Sequence, residues 1–346
     1  MYLFCGLGPK RKAVIMKNNL KYLIIVFILL FVVSYFVLDS NNSESNESMM
    51  LIPELKSQIN DITSIIITKN EQTLSFSNSS GTWRILEANN YLADANMIAT
   101  LLLDLRKLKL KEKKTLKPEN YSWLSLDKTG VNAATQIKLR NTKSQFADVF
   151  IGKKSQNFQG TYVRKNNDPQ TWLSEGSINI KLAPEDWIVS TIIDINTNEI
   201  KSVTYESNGE QFIIDRIAPN ESFSLLDIPE SMQLIANINL NDLANGLQKF
   251  NIESASTRVD VETLPMLTVT YQLFSGLRYH LKVTQVNELY HLNIDLTQTD
   301  SATDFDRQLE NWTFVVAKYK FDALNKNLSD LIEEKSNNTP IQGQDD

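Results

Sequence analysis

The run Ile62-Thr63-Ser64-Ile65-Ile66-Ile67-Thr68 decides how the chain folds, and it returns in the second half as Ile200-Lys201-Ser202-Val203-Thr204-Tyr205. β-Branched side chains pack well on a pleated surface and lose χ1 freedom in a helix, so both runs read as strands. After the first come Leu74-Ser75-Phe76 and Trp83-Arg84-Ile85, separated by Asn, Ser and Gly, which predicts an antiparallel meander. The period then changes. Ala93-Asp94 opens a segment with Ile98, Leu101, Leu102, Leu105 and Leu108 at helical spacing, which predicts one amphipathic helix over 92–108.

The later landmarks recur in the same order. Gln211 to Ile214 follows the second strand, and Met232 to Phe250 is the counterpart of the helix. Thr135 to Leu139 with Phe146 to Ile151 is echoed by Leu267 to Tyr271 with Leu277 to Val283, and Thr171-Trp172-Leu173 by Trp312-Thr313-Phe314-Val315. The offsets are 138, 132 and 140 residues, a spread that loop-length changes between two copies would produce. Any two strand–helix–strand segments share some landmarks; the conserved order favours repetition. The expected fold is α+β, with two tandem modules over 61–197 and 198–335 built on mainly antiparallel sheets. Phe321, Leu324, Leu328, Leu331 and Ile332 predict a closing helix, followed by a loose polar tail over 336–346.

Upstream lies Tyr22 to Leu38, seventeen apolar or weakly polar residues, at the short end of what spans a hydrocarbon core. Lys10, Arg11, Lys12, Lys17 and Lys21 precede it, no acid occurs before Asp39, and Glu44 and Glu47 follow. The positive-inside rule places residues 1–21 in the cytoplasm and the bulk of the chain outside the cytoplasmic membrane. A cleaved signal peptide would need a small-residue site, and Ser34 to Ser40 offers none. The run therefore reads as a single uncleaved transmembrane helix. Met16 opens a conventional anchor sequence, so residues 1–15 are a candidate over-extension of the start. Residues 39–60 read as a flexible stalk, with Asp39 to Met50 almost entirely Ser, Asn, Asp and Glu.

Composition is that of an anchored globular protein, 42% hydrophobic and 22% charged, with no second run of membrane length. With five of the 35 basic residues ahead of the span, the remaining 30 face all 41 acids, a formal balance of −11. This disfavours a general nucleic-acid surface. The one cysteine, Cys5, precedes the span, so the exported part has no disulfide and is held by its core. Nothing before Cys5 resembles a lipidation signal.

The landmarks resemble those of proteins carrying the bacterial domain of unknown function 4340, over about 61–335. The matching residues are Ile62, Ile65 and Ile67; Gly81, Trp83 and Ile85; Ala93-Asp94; Ile151-Gly152 followed by Gly160, Tyr162, Val163 and Arg164. Trp187 ahead of Ile192 to Ile195, and Trp312, Phe314, Tyr319, Leu324, Leu328 and Leu331 complete the set. Tyr121-Ser122-Trp123-Leu124 departs from the family's Tyr-Gly-Leu and puts that turn's conformation in question. Some relatives are encoded beside gliding-type ABC transporter genes, so the resemblance implies an ABC-type transport assembly, such as its permease, as partner. It supplies no catalytic residues.

The residues themselves carry little chemistry. There is no G-x-x-x-x-G-K-[ST] loop; Gly6-Leu7-Gly8-Pro9-Lys10 lacks the spacing, the hydroxyl and a preceding strand. No G-x-S-x-G elbow exists. His280 and His291, in twin Tyr-His-Leu contexts, belong on the arms of a hairpin turning near Val286-Asn287, on one sheet face but without an evident third metal ligand. Arg106 to Lys117 holds seven cations against Glu112. It reads either as a solvated edge that blocks strand pairing or as a patch for an acidic partner or anionic lipid, with Arg106, Lys107, Lys109, Lys111, Lys113 and Lys114 as candidate contacts. The five tryptophans read as core, with Trp172 and Trp312 in matching positions; a sugar-stacking platform is the alternative. No metal, cofactor or catalytic residue is expected. The expected function is a non-catalytic accessory or scaffold, probed against an envelope glycan- or peptide-binding module, with a carboxylate-based hydrolase third.

Overall fold

Two tight turns start the fold. Asn70 (φ 54°) joins strand β1 (Ile62–Lys69) to β2 (Gln72–Ser79), and Ser80 and Gly81, both at positive φ, join β2 to β3 (Thr82–Ile85). Asn and Gly tolerate the left-handed region that such hairpin turns require. The computed structural model describes residues 49–156, 159–207, 209–259 and 264–335. The chain divides into two units between Met49 and Met50, and the second holds all the elements that follow.

After β4 (Tyr91–Leu92) comes helix α1 (Ala95–Lys107), capped by Asp94, whose carboxylate accepts the N–H groups of Asn96 at 2.8 Å and Met97 at 3.4 Å. Ile98, Leu101, Leu102 and Leu105 are its buried face, as the spacing predicts. The first sheet continues with β5 (Lys109–Lys113), β6 (Thr135–Asn141), β7 (Gln145–Lys154), β8 (Thr161–Lys165) and β9 (Thr171–Glu175). Among these strands the order is β5-β9-β8-β7-β6-β1-β2-β3-β4. The second sheet is built from β10 (Ile200–Ser207), β11 (Glu210–Asp215), β12 (Ser224–Leu225), β13 (Ser254–Thr257), β14 (Leu267–Leu273), β15 (Arg278–Val286), β16 (Leu289–Thr297) and β17 (Trp312–Val316). Its order, read from the far edge, is β13-β17-β16-β15-β14-β10-β11-β12. The two orders coincide over eight strands, and β4 alone of those named has no counterpart in the second sheet. Registers coincide too: Ile65 faces Phe76 and Leu139 across the first sheet, and Val203 faces Ile214 and Tyr271 across the second. The architecture is α+β, mostly antiparallel sheet with a few helices.

One continuous hydrophobic cluster takes residues from both sheets. Phe76 meets Trp187 edge-on at 5.1 Å, and Tyr91 meets Trp312 at 4.8 Å and Phe314 at 6.2 Å.

Three boundaries differ from the sequence reading. Folding begins at about Met50 rather than Asp61, because Leu51, Ile52 and Leu55 are buried and a short helix runs Leu55–Gln58; the stalk's last ten residues thus belong to the folded unit and place three side chains in its core. The helix expected over 232–250 shrinks to α2 (Leu240–Ala244), while Met232–Leu234 pairs as a strand with Ile332–Glu334. Asn237 (φ 71°), Asn239, Asn241, Asn245 and Gly246 explain this, since Asn favours caps and turns and Gly costs helix about 1 kcal/mol. The closing helix likewise stops early, as α3 (Lys318–Leu324), at Asn325; Ile332 sits in the strand just mentioned. Among the described residues no helix is long and apolar enough to cross a membrane. The expected span over 22–38, the flanking 1–21 and 39–48, and the tail from 336 lie outside the described residues.

Candidate functional site

The segment between β5 and β6 folds over the outer face of the first sheet. Its 3-10 turn, Pro118–Leu124, ends at Ser125, which takes the left-handed conformation (φ 55°). Beneath it Tyr121, Leu126, Ala134 and Phe150 form a second small core. Arg164, 4% exposed, lies between the rings of Phe150 (4.4 Å) and Tyr121 (4.8 Å), and its guanidinium donates to the Lys165 carbonyl at 3.2 Å. Gly152 lets the segment close: a Cβ there would lie 2.3 Å from the Leu124 carbonyl oxygen. Of the Ile-Gly and Gly-x-Tyr-Val-Arg landmarks, Gly152, Tyr162 and Arg164 thus fasten this flap, while Ile151 and Val163 belong to the main core.

The cationic stretch begins on α1 and continues through β5. Leu108 and Leu110 are buried, while Lys107, Lys111, Lys113 and Lys114 are exposed and Arg106 and Lys109 half-buried. The structure divides the six candidates. Arg106, Lys107 and Lys109 converge on one cleft of about 400 Å³, which Met50, Leu103 and Glu175 also line. Lys113 lies over the Trp172 ring at 5.5 Å, and Lys114 pairs with Glu112 at 2.7 Å. Lys107 is 3.7 Å from Asp104. Sequence reasoning missed the apolar half of this cleft, although Leu103 stands off the apolar stripe of α1 and is 42% exposed. Such a residue on the polar side of a helix is the signal that could have found it.

His280 and His291 share a face of the second sheet, since His280 pairs with Asp295 and His291 with Thr284, four residues along the same strand. Four residues of strand is about 13 Å, too far for one metal ion. The imidazole of His280 is bracketed by Thr270 Oγ1 at 3.0 Å and Thr297 Oγ1 at 2.9 Å. Burial, and then Lys282, hold it below the ordinary histidine value. Asp295 accepts from Arg258 at 2.8 Å and Lys282 at 2.7 Å; burial alone would raise its pKa, but these bonds hold it below the usual carboxylate range. No group of three or more metal-ligating side chains exists among the described residues. At the far end of the sheet Arg216, 5% exposed, donates to the Ile200 carbonyl at 2.9 and 2.7 Å and stacks over Phe223 at 4.5 Å. The Asn78 amide reaches the Ile62 carbonyl at 3.4 Å in the corresponding place of the first sheet.

Four tryptophans contact the main core, Trp187 fully buried and Trp83, Trp172 and Trp312 partly so. Trp123 departs from the expected core role. It is 70% exposed on the flap, while Tyr121 and Leu126 pack into the small core beneath.

A sequence-family model described as "Domain of unknown function (DUF4340)" matches residues 83–267, more than half of the chain. No curated protein and no solved structure matches it.

Proposed function

The chain belongs to the DUF4340 family, and we propose that it is a membrane-anchored, extracytoplasmic accessory or scaffold of an ABC-type transport assembly in the bacterial envelope, with no catalytic step of its own. The observation that carries this reading is how the chain joins its folded unit. Met50 stands twelve positions after Leu38, the end of the apolar run, and the Leu51 N–H donates to the Leu108 carbonyl at 2.9 Å. A folded unit joined to the apolar run by so short a connection suits a part that works against a membrane partner. The polar clusters favour structural roles: His280 is satisfied by threonines, Asp295 by two cations and Arg216 by carbonyls and a ring, while Arg164 is held between two rings and donates to carbonyls through one terminal nitrogen, its buried Nε left without a partner. The ABC-type partner follows from the family resemblance, and the matching strand orders support tandem duplication. The test is crosslinking in cells followed by mild-detergent purification. Recovery with a permease or ATPase is expected; recovery alone contradicts the proposal.

A second reading, an envelope glycan- or peptide-binding module, is favoured by one observation, the exposed Trp123. Retention on isolated cell-wall material that disappears in Trp123→Ala would select it.

A further inference from the structure

We propose that the cleft between the end of α1 and β5 docks on anionic lipid headgroups of the same bilayer that holds the span; this rests on the anchored reading above. The chain's own length keeps the cleft within reach of the membrane. Met50 lines it, and the twelve positions from Leu38 to Met50 reach at most about 40 Å when fully extended. The surface chemistry matches a headgroup layer. Met50 and Leu103 give an apolar floor, and Arg106, Lys107 and Lys109 a cationic rim, interrupted by Glu175 and, beside Lys107, by Asp104. Interfacial contacts of this kind combine a shallow apolar insertion with basic side chains in the headgroup plane. The acidic balance of the remaining surface does not cancel the attraction, because charges more than about 10 Å away are screened at ordinary ionic strength. An acidic protein partner would find the same rim but has no use for the apolar floor.

The test uses the full chain in nanodiscs, with Cys5→Ser and a fluorophore on Leu103→Cys, and nitroxide-headgroup lipids as quencher. Quenching is expected to be at least threefold greater in phosphatidylcholine with 30% phosphatidylglycerol than in phosphatidylcholine alone. It should fall to the neutral-lipid level in the triple variant Arg106→Gln, Lys107→Gln, Lys109→Gln, and in high salt. The circular dichroism of that variant checks that it folds. Equal quenching in the two bilayers, or quenching indifferent to the triple variant, overturns the proposal while leaving the anchor standing. Quenching relieved only by an acidic protein partner also overturns it. Release of the chain from vesicles by alkaline carbonate overturns the anchor, and with it the proposal.

Discussion

Tyr91 sets its ring edge-on to that of Trp312, centroids 4.8 Å apart and planes at 83°, so a residue of the first sheet closes the core of the second. Its hydroxyl donates to the Val189 carbonyl at 3.3 Å, in the connection between the sheets. The two sheets share strand order but not separate cores. Tyr91→Ala should therefore destabilise by about 3–5 kcal/mol, as large-to-small changes of buried aromatics do. Its coupling to Trp312→Ala in a double-mutant cycle should be about 0.5–1.5 kcal/mol. Urea unfolding followed by tryptophan fluorescence and by circular dichroism should give one coincident transition. Two separated transitions would mean that the sheets unfold independently.

Gly152→Ala should open the flap. The added carbon would meet the Leu124 backbone oxygen at 2.3 Å, and backbone cannot rotate aside as a side chain can. A loss of about 1–3 kcal/mol is expected, with faster protease cleavage within 118–134. Unchanged cleavage would show that the flap is not held by this approach.

Trp123→Ala and Trp187→Ala should separate by stability. Trp123 is 70% exposed and Trp187 2%, so the first should stay within about 0.5 kcal/mol of the parent and the second lose about 3–5 kcal/mol. Equal losses in urea titrations would contradict the placement of Trp123.

Acid should weaken the fold in two stages. Burial, then Lys282, depress the His280 value, so below about pH 6.5 the unfolded chain takes up a proton before the folded one does. Stability gained from the neutral ring is present above that pH and declines as pH falls through the window. Asp295, held low against burial by Lys282 and Arg258, contributes stability above about pH 3.9 that is lost on further acidification. His280→Gln should flatten the first decline in urea midpoint; a midpoint that rises on acidification from pH 6.5 would contradict this.

Where local pattern and tertiary context agreed, the fold was legible. Ile62 to Ile67 and its later counterpart announced both sheets, and Asp94 with the leucines after it announced α1. Met232 to Phe250 and Phe321 to Ile332 misled because apolar spacing alone ignores Asn237, Asn245, Gly246 and Asn325, which favour turns and caps. The cationic stretch was visible as charge, but its division was not. Which lysines meet at a cleft depends on Met50 and Leu103, brought there by the pairing of residues 51 and 108. Such long-range juxtaposition leaves no periodic trace. The exposure of Trp123 was hidden for the same reason, since it is Tyr121 and Leu126 that pack into the small core.

The most direct test of a unit tethered outside the membrane is cysteine labelling in intact spheroplasts of a Cys5→Ser chain carrying either Asn18→Cys or Trp123→Cys. An impermeant maleimide should label Trp123→Cys at once and Asn18→Cys only after the membrane is permeabilised. Labelling of Asn18→Cys with Trp123→Cys protected, or release of the chain into the soluble fraction, would contradict the account.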